Sequence, residues 1–165
     1  MIRLFILDVD GVLTDGTIWY DEVGEEYKAF HIHDGLGLKR LQENGIKIAI
    51  ISGRNSLSVT RRMKELQITE VYQGISDKLD VFKNLLEKLN IAPENVASIG
   101  DDLPDIPIMK ESNIAIAVHN AVREVKAIAN YCTHRSGGEG AVREACEWIL
   151  SAKLERNYEP KDTLV

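Results

Sequence analysis

Phe5-Ile-Leu-Asp-Val-Asp-Gly-Val-Leu-Thr-Asp15 is the stretch that decides the fold of this 165-residue chain. Its apolar first half is typical of a buried strand, and the strand ends in two carboxylates, Asp8 and Asp10. Open α/β sheets bind their ligands at the carboxyl ends of strands. Two neighbouring carboxylates repel each other and resist burial unless a cation neutralises them, and Mg²⁺ is the common cation that binds carboxylates together with a phosphate. The stretch therefore predicts a metal-assisted phosphoryl site.

The rest of the chain alternates strand and helix patterns, which predicts an α/β fold with a doubly wound, Rossmann-like parallel sheet. The predicted strands cover residues 2–9, 46–51, 71–72, 96–99, 113–117 and 131–133. The predicted helices cover residues 35–44, 56–66, 78–89, 121–129 and 140–150, with a helical turn region at 103–110. A β-hairpin insertion is predicted at 17–32, around Asp21-Glu-Val-Gly24.

Length and composition predict one domain over residues 1–154 and a loose charged tail over residues 155–165. The net charge of −6 argues against nucleic acid or an anionic membrane as the main partner. No apolar stretch approaches the roughly 20 residues that a membrane span needs, and no secretory signal is visible. The two cysteines, Cys132 and Cys146, form no Cys-x-x-Cys pair, so a reducing cytoplasm is the expected compartment.

Three polar clusters follow predicted strands: Asp8 with Asp10, then Ser52, then Gly100-Asp-Asp102. The carboxyl ends of parallel strands share one edge of a sheet, so we expect these clusters to converge. Each one alone has a plainer interpretation. Asp-Gly is often only a turn, and Ser-Gly is often a helix N-cap. Lys78 could be a solvated helix residue after an Asp77 cap, and Asp105 could lie on the surface.

Taken together and in order, these residues resemble the motifs of the haloacid dehalogenase superfamily of phosphatases. Asp8-Val-Asp-Gly-Val-Leu-Thr14 is similar to its first motif, Ser52 to its second and Lys78 to its third. Gly100-Asp-Asp-x-x-Asp105 is similar to its fourth. The resemblance covers nearly the whole chain and implies a phosphatase with Mg²⁺ as cofactor.

The resemblance also implies a role for each motif residue. Asp8 would be the nucleophile that accepts the phosphoryl group, and Asp10 would be the general acid and base. Asp8, the backbone carbonyl of Asp10 and Asp101 would hold the metal, with Asp102 and Asp105 as further ligands or supports. The phosphoryl oxygens would be held by three residues: Ser52, the Gly53 amide and Lys78.

No gap between the motifs is long enough for a cap domain that would cover the site. A neighbouring subunit is the economical alternative, and the predicted hairpin carries many aromatic side chains for a chain that is 6% aromatic. These are Trp19, Tyr20, Tyr27 and Phe30, beside Ile18. We expect a homo-oligomer that assembles through residues 17–32, and the resemblance suggests a tetramer.

The chain resembles the uncapped members of the superfamily that carry such a hairpin. This resemblance implies that the substrate is a sugar acid phosphate, namely 3-deoxy-D-manno-octulosonate 8-phosphate of lipopolysaccharide precursor synthesis. The predicted substrate contacts are Thr14, Gly53, Arg54, Arg61 and Gly138. Arg54 favours this eight-carbon acid over a nine-carbon sialic-type acid 9-phosphate, whose phosphatases typically carry an acidic residue there. His33 stands where arginine is common. The loop at Gly138 either binds substrate from a neighbour or only shapes the backbone.

Two other functions fit parts of the pattern. A non-catalytic assembly domain of the same fold would need the hairpin but not the acids. A receiver domain also combines acids, Ser or Thr and Lys on a parallel sheet, but its lysine comes last, whereas Lys78 here precedes Asp101. The tail at 155–165 could close an adjacent site or be disordered, and its composition does not decide.

Overall fold

Eight strands and six helices make up the computed structural model, which describes residues 1–157. The strands are β1 (Leu4–Leu7), β2 (Trp19–Tyr20), β3 (Glu26–Tyr27), β4 (Lys47–Ile51), β5 (Glu70–Tyr72), β6 (Val96–Gly100), β7 (Ile114–Ala117) and β8 (Tyr131–Cys132). The helices are α1 (Ile32–Glu43), α2 (Leu57–Glu65), α3 (Lys78–Leu89), α4 (Ile106–Glu111), α5 (Arg123–Ile128) and α6 (Ala141–Asn157). Short 3₁₀ turns cover Pro93–Asn95 and Leu103–Asp105.

Six strands form one parallel sheet in the order β5-β4-β1-β6-β7-β8, and β2 pairs with β3 in a separate antiparallel hairpin. Successive side chains of β1 point to opposite faces of the sheet. Phe5 and Leu7 belong to the apolar core on one face, and Leu4 and Ile6 belong to the core on the other. The predicted doubly wound sheet with a hairpin insertion and no cap domain is confirmed.

The carboxyl end of β1 is the point at which the strand order of the sheet reverses. Leu7 pairs with Ile50 of β4 on one side and with Ile99 of β6 on the other. The chain fills the β4 side first and then crosses to the β6 side, and such a switch point leaves a crevice for ligands. Asp8 follows β1 directly, so the fold places it in this crevice.

Helix α1 begins at Ile32, three residues before the predicted start. The His31 ring accepts a hydrogen bond from the His33 amide at 3.2 Å, which caps the new first turn. The buried Asp34 carboxylate accepts a bond from the Arg143 amide at 2.8 Å and so ties this turn to the start of α6. Tertiary contact therefore extends the helix beyond the start that its own sequence predicts.

The hairpin is shorter than predicted, with two residues in each strand. Its turn is set by Asp21, whose carboxylate accepts hydrogen bonds from the amides of Val23 and Glu25, and by Gly24 with φ +84°. Helix α6 extends to Asn157, three residues into the predicted tail. Residues 158–165, the rest of that tail, lie outside the described residues. Through residue 157, no helix is long and apolar enough to cross a membrane.

Candidate active site

Four charged side chains meet at the carboxyl end of β1, and we call them the carboxylate cluster: Asp8, Lys78, Asp101 and Asp105. The Lys78 ammonium donates to Asp8 Oδ1 at 2.8 Å and to Asp105 Oδ1 at 2.7 Å. Lys78 reaches this position because it is the first residue of α3. The Asp77 carboxylate caps that helix by accepting bonds from the amides of Leu79 and Asp80.

The electrostatics of the carboxylate cluster are those of an anion-rich pocket. Burial, and then the charge of Asp105, raise the pKa of Asp8 to about 6 in spite of the nearby lysine. Burial, followed by the charges of Asp8, Asp105 and Asp102, raises the pKa of Asp101 to about 7. One ammonium does not neutralise three carboxylates, so the pocket favours a further cation.

The donor set fits Mg²⁺. Asp8, Asp101 and Asp105 each offer a carboxylate oxygen, and these three oxygens lie within 4.8 Å of one another. Hard oxygen ligands of this kind suit Mg²⁺, which usually takes only one or two carboxylates and keeps other positions for water or phosphate. The Asp10 carboxylate lies outside this group, and metal binding by the Asp10 backbone carbonyl stays a prediction.

Asp105 is buried, with 5% of its surface exposed, so the alternative of a surface position is wrong. Its second oxygen accepts hydrogen bonds from the Asp101 amide at 3.0 Å and the Asp102 amide at 3.4 Å. A Cβ on Gly100 would lie 2.5 Å from the Asp105 Cβ, so only glycine lets the two backbones approach this closely. The Asp105 carboxylate thus fixes both the loop that carries Asp101 and the position of the Lys78 ammonium.

A cavity of about 330 Å³ opens beside the carboxylate cluster. Ser52 and Gly53, which follow β4, line it together with Asp8, Asp10, Arg54, Ile75, Ser76, Lys78, Asp101, Asp102, Pro104 and Asp105. The Ser52 backbone is fixed because its amide donates to the Tyr72 carbonyl and its carbonyl accepts from Ile75. The predicted convergence of three strand ends on one crevice is therefore what the structure shows.

A second polar group, the hairpin cluster, consists of Tyr20, Glu26, Lys28 and Arg54, of which only Arg54 was predicted from the sequence as a site residue. The Arg54 guanidinium donates to Glu26 at 2.6 Å and to the Tyr20 hydroxyl at 3.0 Å. Lys28 donates to Asp10 Oδ1 at 2.5 Å and lies 3.3 Å from Glu26. The available signal was the i, i+2 spacing of Glu26 and Lys28, which puts both side chains on one face of the hairpin.

Thr14 and Gly138, both predicted to contact substrate, shape the loop after β1 instead of lining the cavity. Thr14 Oγ1 accepts hydrogen bonds from the amides of Gly11 and Gly16, each at 3.2 Å. Gly138 has φ +72°, and a Cβ there would lie 2.5 Å from the Asp15 amide nitrogen. These contacts support the alternative in which the glycine loop only shapes the backbone, and substrate contact by either residue stays a prediction.

The loops at Gly11 and Gly137 lie in direct contact. A Cβ on Gly137 would lie 1.9 Å from the Gly11 carbonyl oxygen. Asn120 joins the two loops, because its amide group donates to the Gly11 carbonyl at 3.0 Å and accepts from the Gly137 amide at 2.7 Å. The conformation of the first motif therefore depends on residues from the far end of the chain.

Arg61 is exposed on α2 and is not among the residues that line the cavity of its own chain. The structure thus does not bring it to the site, in contrast to the prediction. Helix α2 turns this position outward, because its buried side chains are Val59 and Met63. A role for Arg61 in substrate binding stays a prediction.

Comparison with known proteins assigns the family. A family model described as haloacid dehalogenase-like hydrolase matches residues 67–144. A 3-deoxy-D-manno-octulosonate 8-phosphate phosphatase of Salmonella typhi is 50% identical over 152 residues, which are 92% of this chain and 81% of the relative. The chain belongs to this family of phosphatases. The family assignment excludes a receiver domain and confirms the predicted superfamily.

Solved structures of similar phosphatases agree with the fold of this one. The 3-deoxy-D-manno-octulosonate 8-phosphate phosphatase of Yersinia pestis has a TM-score of 0.91 and 46% identity, over 94% of this chain and 84% of that one. The corresponding protein of Moraxella catarrhalis, solved with a magnesium ion, a phosphate ion and a KDO molecule, has a TM-score of 0.89 and 45% identity. The matched region spans 95% of this chain and 94% of the Moraxella catarrhalis chain.

Proposed function

We propose that this phosphatase hydrolyses 3-deoxy-D-manno-octulosonate 8-phosphate to the free sugar acid and inorganic phosphate, with Mg²⁺ as cofactor. The observation that carries the proposal is the bridge from Lys78 to Asp8 and Asp105, set beside Asp101 in a cavity that Arg54 also lines. The magnesium, phosphate and KDO in the Moraxella catarrhalis relative support the same substrate and cofactor.

The chemistry proceeds in two displacements. An Asp8 carboxylate oxygen attacks the phosphorus, the bond from phosphorus to the sugar oxygen breaks, and Asp10 gives its proton to that oxygen. Water then attacks the phosphorus of the aspartyl phosphate and passes a proton to Asp10, while the bond from phosphorus to the Asp8 oxygen breaks. The products are the sugar acid and phosphate, and Asp8 and Asp10 return to their starting states.

The remaining site residues orient and neutralise the phosphoryl group. Lys78 already contacts the Asp8 carboxylate, so its ammonium lies where negative charge builds on the transferring group. Ser52 and the Gly53 amide line the same cavity and can donate to the phosphoryl oxygens. Mg²⁺ would be held by the carboxylates of Asp8 and Asp101, with Asp105 beside them and the Asp10 carbonyl as a further ligand, and it would supply further positive charge at the same place.

Arg54 is the group that we assign to recognition of the sugar acid. It lines the cavity with 42% of its side chain exposed, so the guanidinium is accessible to a ligand. A planar guanidinium matches a carboxylate with two parallel hydrogen bonds, which a lysine cannot provide. Its present partners, Glu26 and Tyr20, hold it at the edge of the cavity. Arginine at this position favours the eight-carbon acid only through the family resemblance, in which phosphatases of the nine-carbon acid typically carry an acidic residue there.

We also propose assembly into a tetramer through the hairpin at residues 17–32. Trp19 is 63% exposed, Tyr20 60% and Tyr27 57%, which is a large apolar surface for one small hairpin. A neighbouring subunit on this surface would bury these rings and lie close to the uncapped cavity.

The two cysteines are free thiols, which supports a location in the reducing cytoplasm.

Phosphate release from a panel of substrates with Mg²⁺ tests the proposal. The panel holds 3-deoxy-D-manno-octulosonate 8-phosphate, a nine-carbon sialic-type acid 9-phosphate and 4-nitrophenyl phosphate. We expect strong preference for the eight-carbon acid and its loss in Asp8→Asn, with normal turnover in the matched surface variant Asp80→Asn. Preference for the nine-carbon acid would overturn the substrate, and absence of turnover would favour the non-catalytic assembly domain.

A further inference from the structure

Lys28 is a buried cation that the two-displacement chemistry does not use. Only 1% of its side chain is exposed, and its ammonium contacts Asp10 Oδ1 at 2.5 Å. A buried ammonium is costly unless it is paired, and the carboxylates of Asp10 and Glu26 supply that pairing. Lys28 is not among the residues that line the cavity, so it acts on the site through Asp10.

Glu26 connects this pair to the residue that we assign to substrate recognition. One Glu26 oxygen lies 3.3 Å from Lys28, and the other accepts from Arg54 at 2.6 Å. Burial tends to raise the pKa of Glu26, but the hydrogen bond from Arg54 and the charge of Lys28 outweigh it and lower the pKa. The result is a row of alternating charges in the order Asp10, Lys28, Glu26, Arg54.

The geometry points to Lys28 as the positioning residue for the general acid and base, an inference that rests on the proposed function. Lys28 holds Asp10 by Oδ1 and so leaves proton transfer to Oδ2, which faces the guanidinium side of the site with Arg54 Nε 3.9 Å away. A carboxylate free to rotate would present the wrong oxygen in part of the population. Small misplacements of a reacting group are costly, with about 1 Å worth roughly 100-fold in rate.

The two displacements respond differently to a misplaced Asp10. The 4-nitrophenolate ion leaves without a proton, so formation of the aspartyl phosphate from 4-nitrophenyl phosphate does not need Asp10. Hydrolysis of the aspartyl phosphate still needs Asp10 to take a proton from water. Loss of positioning therefore makes the aspartyl phosphate accumulate with the aryl substrate, which a general loss of folded protein does not do.

The test compares Lys28→Met, Lys28→Arg and the exposed-lysine control Lys110→Met in the full chain with Mg²⁺. For Lys28→Met acting on the sugar acid phosphate, where both steps need Asp10, we expect kcat to fall about 10- to 100-fold with KM within about threefold, as for partial loss of acid–base catalysis. Acid quenching and intact-mass spectrometry should show accumulated phospho-enzyme with 4-nitrophenyl phosphate. Lys28→Arg should recover most of kcat, and Lys110→Met should match the wild type.

Three results would overturn the inference. They are wild-type kcat in Lys28→Met, a lowered kcat without phospho-enzyme, and an equal loss in Lys28→Arg. A thermal unfolding curve for each variant verifies that it is folded, and Lys28→Gln replaces Lys28→Met if the latter is not. If wild type releases phosphate normally while one of these results holds, the positioning role fails and the proposed function stands. If wild type turns over no substrate, both fail.

Discussion

The carboxylate cluster and the hairpin cluster meet at one cavity, which Arg54 of the hairpin cluster lines, but they are built on different supports. Asp8 and Asp101 follow central strands of the parallel sheet, and Lys78 begins a twelve-residue helix. Glu26 and Tyr20 lie on strands of two residues each, and Arg54 is 42% exposed. The difference shows a division of labour. In the proposed function, the groups of the covalent chemistry are held by regular elements, and the groups of recognition and orientation are held by contacts with a small insertion.

Exposure separates Arg54 from the carboxylate cluster energetically as well, because 42% of the Arg54 side chain is exposed and only 6% of the Lys78 side chain is. Removing one partner of a buried ion pair leaves an uncompensated charge, whereas an exposed pair is screened by water. Substitutions in the carboxylate cluster should therefore cost more than substitutions in the exposed pair of Arg54 and Glu26, and they should not discriminate between substrates.

Lys78→Met should have the largest effect. It removes the ammonium between Asp8 and Asp105, and we expect kcat/KM to fall roughly 10²- to 10³-fold for the sugar acid and for 4-nitrophenyl phosphate alike. Steady-state kinetics would measure this, with Lys83→Met on the exposed face of the same helix as control. A loss confined to one of the two substrates would break the comparison.

Removal of Mg²⁺ should have the second largest effect, which is a decrease in the free energy of unfolding. Since the pKa values of Asp8 and Asp101 are raised to about 6 and about 7, these groups contribute stability below pH 4 that is lost as pH rises through 7. Mg²⁺ at 100 times its Kd adds about 2.7 kcal/mol when it binds only the folded chain. The rise in Tm over an EDTA sample should be larger at pH 8 than at pH 5.

The matched variant for this measurement is Asp101→Asn. It removes one carboxylate of the metal-binding group, so its Tm should respond little to Mg²⁺ at either pH. An equal response to Mg²⁺ in Asp101→Asn and wild type would place the ion elsewhere.

Arg54→Ala should separate the substrates. Loss of a charge-assisted hydrogen bond costs about 2 kcal/mol, so we expect kcat/KM for the sugar acid to fall roughly 30-fold, mainly through KM. Turnover of 4-nitrophenyl phosphate, which has no carboxylate, should change little. Arg61→Ala serves as the control on exposed α2, and a loss in Arg61→Ala equal to that in Arg54→Ala would assign recognition to both arginines.

Glu26→Gln should have the smallest effect of the series. The amide still accepts from Arg54 but carries no charge for Lys28, and partial exposure of the cluster screens the change. We expect a loss of about 1 kcal/mol in kcat/KM, or roughly fivefold, in the same assay. The exposed neighbour Glu25→Gln should match wild type, and a loss as large as that of Lys78→Met would erase the distinction between the clusters.

The sequence predicted the carboxylate cluster because strand ends are local signals. The carboxylates of Asp8 and Asp101 follow apolar runs, and parallel strands bring their ends to one edge of the sheet. The same logic placed Ser52, and the resemblance to the third motif of the superfamily placed Lys78. Asp105 was only a candidate, because its burial depends on how the 3₁₀ turn at Leu103–Asp105 folds back onto Gly100.

The hairpin cluster could not be predicted in this way. Lys28 reaches Asp10 only because the hairpin folds over the sheet edge, and two-residue strands carry too little pattern to indicate that direction. The start of α1 was placed too late for a similar reason, since Asp34 is held by the amide of Arg143 from the other end of the chain. Arg61 was predicted as a guanidinium that contacts the sugar acid. It lies on the exposed face of α2, whose buried side chains are Val59 and Met63.

The junction of Gly11, Asn120 and Gly137 has a consequence for synthesis on the ribosome. Asp8, the proposed nucleophile, emerges long before Asn120, which holds the loop after Asp8 and follows Gly11 by 109 positions. At about 5–20 residues per second, that interval lasts on the order of 5–20 s. A nascent chain therefore carries Asp8 throughout that interval without the contacts that hold its loop, and we expect the site to become competent only after Asn120 and Gly137 have been made.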